Sequence, residues 1–146
     1  LRSWIDNALG GDLYVRAPLP MRESFANQLR GVPGVQAISP ARLLTIKAAP
    51  GSLPSSDDSD DQFLFEALDP ASFRQIGDME FAANQEEPQV NWARLIQGKA
   101  IFISNVVADR YDLHPGDELV LLTRRGEQAF YIAAEVTGFG GQGQLI

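Results

Sequence analysis

The chain has 146 residues, of which 45% are apolar, with a net charge of -7 from 19 acids against 12 bases. A chain of this length buries roughly two thirds of its unfolded surface and folds without a metal or disulfide, and its acidity argues against nucleic acid and anionic lipid as partners. The absence of cysteine excludes disulfides, thiol catalysis and thiolate-bound zinc.

In chain order, "LRSWIDNAL" places Trp4, Ile5 and Leu9 at helical spacing, and Gly10-Gly11 ends the segment. "DLYVRA" (12–17) reads as a strand, with Leu13 and Val15 on one face. "MRESFANQLRGV" reads as an amphipathic helix, with Met21, Phe25 and Leu29 four residues apart and Gly31 at its end. Pro33-Gly34 then marks a turn into an extended segment bent near Pro40.

"PGSLPSSDDSDD" (50–61) is the one low-complexity patch, and its four aspartates and Pro/Gly/Ser content predict a solvated loop. It fails as an EF-hand. Counted from Asp57, the places that need glycine and glutamate hold Gln62 and Leu68.

Strand "QFLFEAL" follows, then a short helix "DPASFRQIG" capped by Asp69 with Pro70 at its first position. After the loop-like "DMEFAANQEEPQ", the helix "VNWARLIQG" offers Trp92, Leu95 and Ile96 as one apolar face. "KAIFIS" is a short buried strand, and Ser104 caps a helix through "NVVADRYDL". Two paired strands follow, Glu118 to Thr123 and Gln128 to Val136, around a turn at Arg124 to Glu127 in which Gly126 supplies a positive φ. In the second strand Phe130, Ile132, Ala134 and Val136 are expected to share a face.

The chain contains a single histidine, His114, in "HPGD", three residues before Asp117. Proline at the second position and Gly116 at the third are the signature of a type II turn. A His-Asp pair does catalysis only beside a nucleophile and an oxyanion site, and no G-x-S-x-G elbow provides them. "GFGGQG" (138–143) matches the dinucleotide-binding glycine pattern, but three residues follow it instead of the helix whose N-terminus receives the pyrophosphate. It reads as a linker. The adjacent acids Glu86-Glu87 and Asp57-Asp58 read as solvated edges, since acid–base work needs carboxyls in unequal environments. No catalytic, cofactor-binding or metal-ligating residue is assigned.

The residues add up to an α+β chain without a reactive centre, and an ordered set of motifs then resembles a known family. "GDLYVRA", a helix, "LRGVPGVQAISPARLLTIKA", "FLFEALDPASFRQI" and "LIQGKAIFISNVVADRYDLHPGDELVLLTRRGEQAFYIAAEV" together resemble the extracytoplasmic core domain of MacB/FtsX-type ABC transporter permeases over nearly the whole chain. Val32 stands where the family has leucine, and the aspartate-rich loop is a local insertion.

The resemblance implies a β-α-β-type subdomain packed beside a smaller strand-rich subdomain. Residues 1–11 would be a stalk helix from a preceding membrane helix, 12–88 the β-α-β-type subdomain with acidic loop 50–61, 89–139 the strand-rich subdomain, and 140–146 a glycine-rich linker. The family domain runs on past the position of Ile146 before re-entering the membrane. The implied function is non-catalytic. The domain would sit on the periplasmic or extracellular side of a bacterial cell membrane and pass ATP-driven helix motion to a substrate or partner, in export, lipoprotein release or signalling. The implied partners are a cytoplasmic ABC ATPase, a second permease subunit and an extracytoplasmic protein or peptide, with no cofactor. The competing reading is a free-standing enzyme or small-ligand domain built on His114 and Asp117 or on the acidic loop.

Overall fold

The computed structural model describes residues 12–54, 61–83, 85–137 and 144–146. Within them the chain forms α1 (Glu23–Arg30), β1 (Ala41–Ala48), β2 (Gln62–Leu68), α2 (Pro70–Ile76), β3 (Glu80–Phe81), α3 (Pro88–Gln97), β4 (Ala100–Ser104), α4 (Asn105–Tyr111), β5 (Glu118–Thr123), β6 (Gly126–Thr137) and β7 (Gln144–Leu145).

The local signals account for most of these elements. Asp69 caps α2 by accepting the Ser72 N–H at 3.1 Å, and Pro70, which has no N–H to lose, opens the helix. Ser104 caps α4 through the Val107 N–H. Gly126 takes φ +94°, and the Thr123 hydroxyl donates to its carbonyl at 2.8 Å, closing the β5–β6 hairpin.

The segment 12–17 departs from expectation. It forms no strand, Leu13 is 84% exposed, and no backbone hydrogen bond joins it to another described residue. Its alternation of apolar side chains is real, but a strand exists only where a neighbouring strand takes up its N–H and C=O groups.

The seven strands form one sheet in the order β3-β6-β4-β7-β2-β1-β5. Because β5 pairs with β1 on one edge and β6 on the other, six strands close into a ring, with β3 appended to β6. Pairing is mixed: β4–β6 and β2–β7 are parallel and the rest antiparallel. The class is α+β, as expected. The expected units 12–88 and 89–139 meet within this ring, where β1 bonds to β5. Gln144–Leu145 correct the expected linker 140–146: they form β7 between β4 and β2, where Leu145 is buried in the first cluster.

The first core cluster draws on every ring strand, through Ile46, Phe63, Ile103, Leu121, Ile132 and Leu145, together with Val107 and Tyr111 of α4. The second lies where α2, α3 and β3 cover the other face of β4 and β6. Trp92 sits there at 5.3 Å from Phe102 and 5.9 Å from Phe73, ring centre to ring centre. The apolar run of β4 serves both clusters, Ile101 and Ile103 the first and Phe102 the second.

A β-bulge divides β6 between the same two clusters. Ile101 pairs with Ile132 but Phe102 pairs with Ala134, so Ala133 is an extra residue. Phe130 and Ile132 therefore face the first cluster, while Ala134 and Val136 face the second. The expected single face for these four residues is wrong, because one inserted residue inverts the alternation of every residue after it.

Candidate functional site

The "HPGD" turn is a hydrogen-bonded unit. The Asp117 N–H donates to the His114 carbonyl at 3.0 Å, and the Asp117 carboxylate accepts the His114 N–H at 2.8 Å. Gly116 takes φ +104° and donates its N–H to the Ile132 carbonyl, which ties the turn to β6. The imidazole itself is 67% exposed, with its nitrogens 3.8 Å from Asp117 and 3.9 Å from Asp112, beyond hydrogen-bond range. Asp117 thus spends its carboxylate on the backbone of the turn.

Beside the turn lies an open groove of about 440 Å³, lined by Gln85, Glu86, Arg94, His114, Tyr131 and Glu135 among others. It is assembled from the chain before α3, from α3 itself and from β6. Glu86 forms an ion pair with Arg94, whose guanidinium stands 5.3 Å from the Tyr131 ring centre and donates to the Tyr131 hydroxyl at 3.3 Å. Glu86 and Arg94 therefore neutralise each other in the groove. Gln85 substitutes for a strand. Its side-chain oxygen accepts the Glu135 N–H at 2.7 Å and its amide donates to the Glu135 carbonyl at 2.9 Å, just before β3 takes over pairing with β6.

The lining offers carboxylates, a guanidinium, an imidazole and a phenol, but no Ser, Thr or Cys nucleophile. Among the described residues no group of three or more His, Asp or Glu is placed to hold a metal ion. The arrangement can bind a polar group or hold two segments together.

Of the acids weighed in the sequence, Glu86 reaches this groove, and Glu87 stands at the N-cap of α3 without a side-chain capping bond. Asp57, Asp58 and the glycine pattern 138–143 lie outside the described residues. Asp61, at the end of the acidic loop, accepts from the Tyr111 hydroxyl at 2.9 Å. Burial and this carboxylate push the Tyr111 phenol above its ordinary pKa. The Ser72 side chain and backbone N–H hold the Asp69 carboxyl below the usual carboxylate range. Sequence reading missed Gln85, Arg94 and Tyr131, because 37 residues separate the last two and only the α3–β6 packing joins them.

A closed mixed ring flanked by helices, with a polar groove at its side, defines an α+β domain. Among solved structures, the chain is similar to the extracellular domain of the noncanonic ABC-type transporter YknZ from Gram-positive bacteria, with a TM-score of 0.58 and 15% identity. The match covers 86% of this chain and 60% of that one, so this chain spans only part of that structure's length. At this identity the likeness is one of fold, and at that level the expected resemblance to an ABC-permease extracytoplasmic domain is met. No protein-family model matches the sequence, and comparison with curated proteins finds no match.

Proposed function

We propose that this chain is a non-catalytic extracytoplasmic domain of an ABC transporter permease of the MacB/FtsX type. In this reading it works at a bacterial cell membrane, on its periplasmic or extracellular side. The supporting observation is the fold shared with the YknZ extracellular domain over 86% of the chain. The "HPGD" turn is then architecture, and residues 1–11 are the stalk through which a membrane helix drives the domain.

The units 12–88 and 89–139 move as one body, because a strand ring with two packed clusters transmits force without deforming. A cytoplasmic ATPase closes on ATP, the membrane helices shift, and the domain carries that motion to a substrate or partner. A second permease subunit completes the transporter.

The test is a flexible Gly-Ser insert before Asp12 in the intact permease, since such linkers behave as random coils and transmit little torque. ATPase activity is expected to survive while export, release or signalling fails. Transport that persists with the insert would refute mechanical transmission.

A further inference from the structure

The strand β1 carries a long open edge among the described residues. One edge pairs with β2 from Ala41 to Lys47, but the other meets β5 only at Lys47 and Ala48. From Ala41 to Ile46 no strand pairs with that second edge among the described residues. Ala41 to Thr45 are exposed on both faces, and Leu43 and Leu44 keep 39% and 45% of their surface in water. The preceding helix α1 buries none of its residues, although Phe25 and Leu29 lie one helical turn apart on it.

An open, apolar strand edge templates pairing with another chain, and natural proteins shield such edges with charge, proline, bulges or a covering element. Among the described residues none of the last three protects Ala41–Ile46, and the one charge there is Arg42.

Charge selects the occupant. Residues 12–46 carry four arginines (Arg16, Arg22, Arg30, Arg42) against two acids (Asp12, Glu23), whereas the rest of the chain holds eight bases and seventeen acids. A second copy joining edge to edge would bring two Arg42 side chains onto one interface, which disfavours that pairing relative to an acidic partner. Lipid would leave the edge N–H and C=O groups unsatisfied.

We propose that the open edge of β1, Ala41–Ile46, is a docking site for a separate acidic protein segment, which adds to the sheet as an extended strand. Main-chain bonds supply the affinity, Leu43 takes apolar side chains on one face of the sheet, and Arg42 on the opposite face selects acidic partners. This inference does not depend on the transporter reading, since the edge is open whatever the domain is joined to.

The probes are a heptapeptide alternating Glu and Val and its Lys–Val counterpart, titrated into the protein while amide exchange is followed at Ala41–Ile46. The acidic peptide is expected to bind about tenfold tighter than the basic one, to slow exchange on the open edge, and to lose its advantage at high salt. Arg42→Glu, checked for an unchanged melting temperature, is expected to reverse the preference. Equal binding of the two peptides, or binding that leaves these amides unchanged, would overturn the proposal. So would open-edge amides already protected in the full-length protein, which would mean its own polypeptide covers them, or concentration-dependent protection without peptide, which would identify a second copy.

Discussion

The Tyr111 hydroxyl donates to Asp61 Oδ1 at 2.9 Å, joining the last residue of α4 to the end of the acidic loop fifty positions earlier. The Tyr111 ring meets Phe63 edge-on at 5.4 Å inside the first cluster. The Ala48 N–H donates to the Asp61 carbonyl at 3.2 Å, so Asp61 holds the loop end to β1 and to the core together.

Tyr111→Phe removes this bond while keeping the ring, and is expected to cost about 1 kcal/mol near neutral pH. The folded phenol is raised above its unfolded value by burial and by Asp61. Its contribution is therefore fully present below the unfolded value, about pH 10, and disappears as pH rises through the folded one. The difference in stability between wild type and variant should narrow above about pH 10. Denaturant unfolding of both proteins across that range checks this.

Asp69→Ala is expected to cost about 1 kcal/mol at neutral pH, the usual worth of an N-cap. The Asp69 carboxyl is depressed in the folded state, with Ser72 as the main cause. Its stabilisation is present above the unfolded carboxylate value, about 4, and is lost as pH falls through the folded one. The two proteins should therefore converge in stability in acid, and a penalty that stayed constant with pH would contradict this account.

His114→Ala is expected to change stability by less than about 0.5 kcal/mol, since the imidazole is mostly exposed and beyond bonding range of its neighbours. Gly116→Val is expected to cost about 1 to 2 kcal/mol. No atom lies within 4 Å of an added Cβ there, so the cost comes from the φ of +104° alone. Melting temperatures of the two variants give the comparison, and greater damage from His114→Ala would contradict the assignment of the turn.

Deleting Ala133 is expected to leave cooperative unfolding intact. Removing the extra residue makes Ala134 the neighbour of Ile132, so regular alternation keeps Ala134 and Val136 in the second cluster, paired with Phe102 and Ser104, and only the buried Ala133 methyl is lost. Loss of cooperative unfolding, or a changed Trp92 environment read by fluorescence, would show that the bulge itself is required.

Local chemistry was legible in the sequence wherever the cause lies within a few residues. The Asp69-Pro70 and Ser104 caps, the Gly126 hairpin and the "HPGD" turn each depend on a side chain or a φ value that the residue itself supplies. The α+β class followed from the same local periods. What the tertiary structure decided depends on residues far apart in the chain. Residues 12–17 alternate like a strand but find no partner among the described residues, and a strand without one has nowhere to place its backbone bonds. The Ala133 bulge follows from the register of β6 against β4, which no window of β6 alone encodes. The closure of the ring, the groove that brings Arg94 to Tyr131, and the use of Gln85 as a surrogate strand all arise because packing against a distant element satisfies a polar or apolar group that its own neighbours leave unmet.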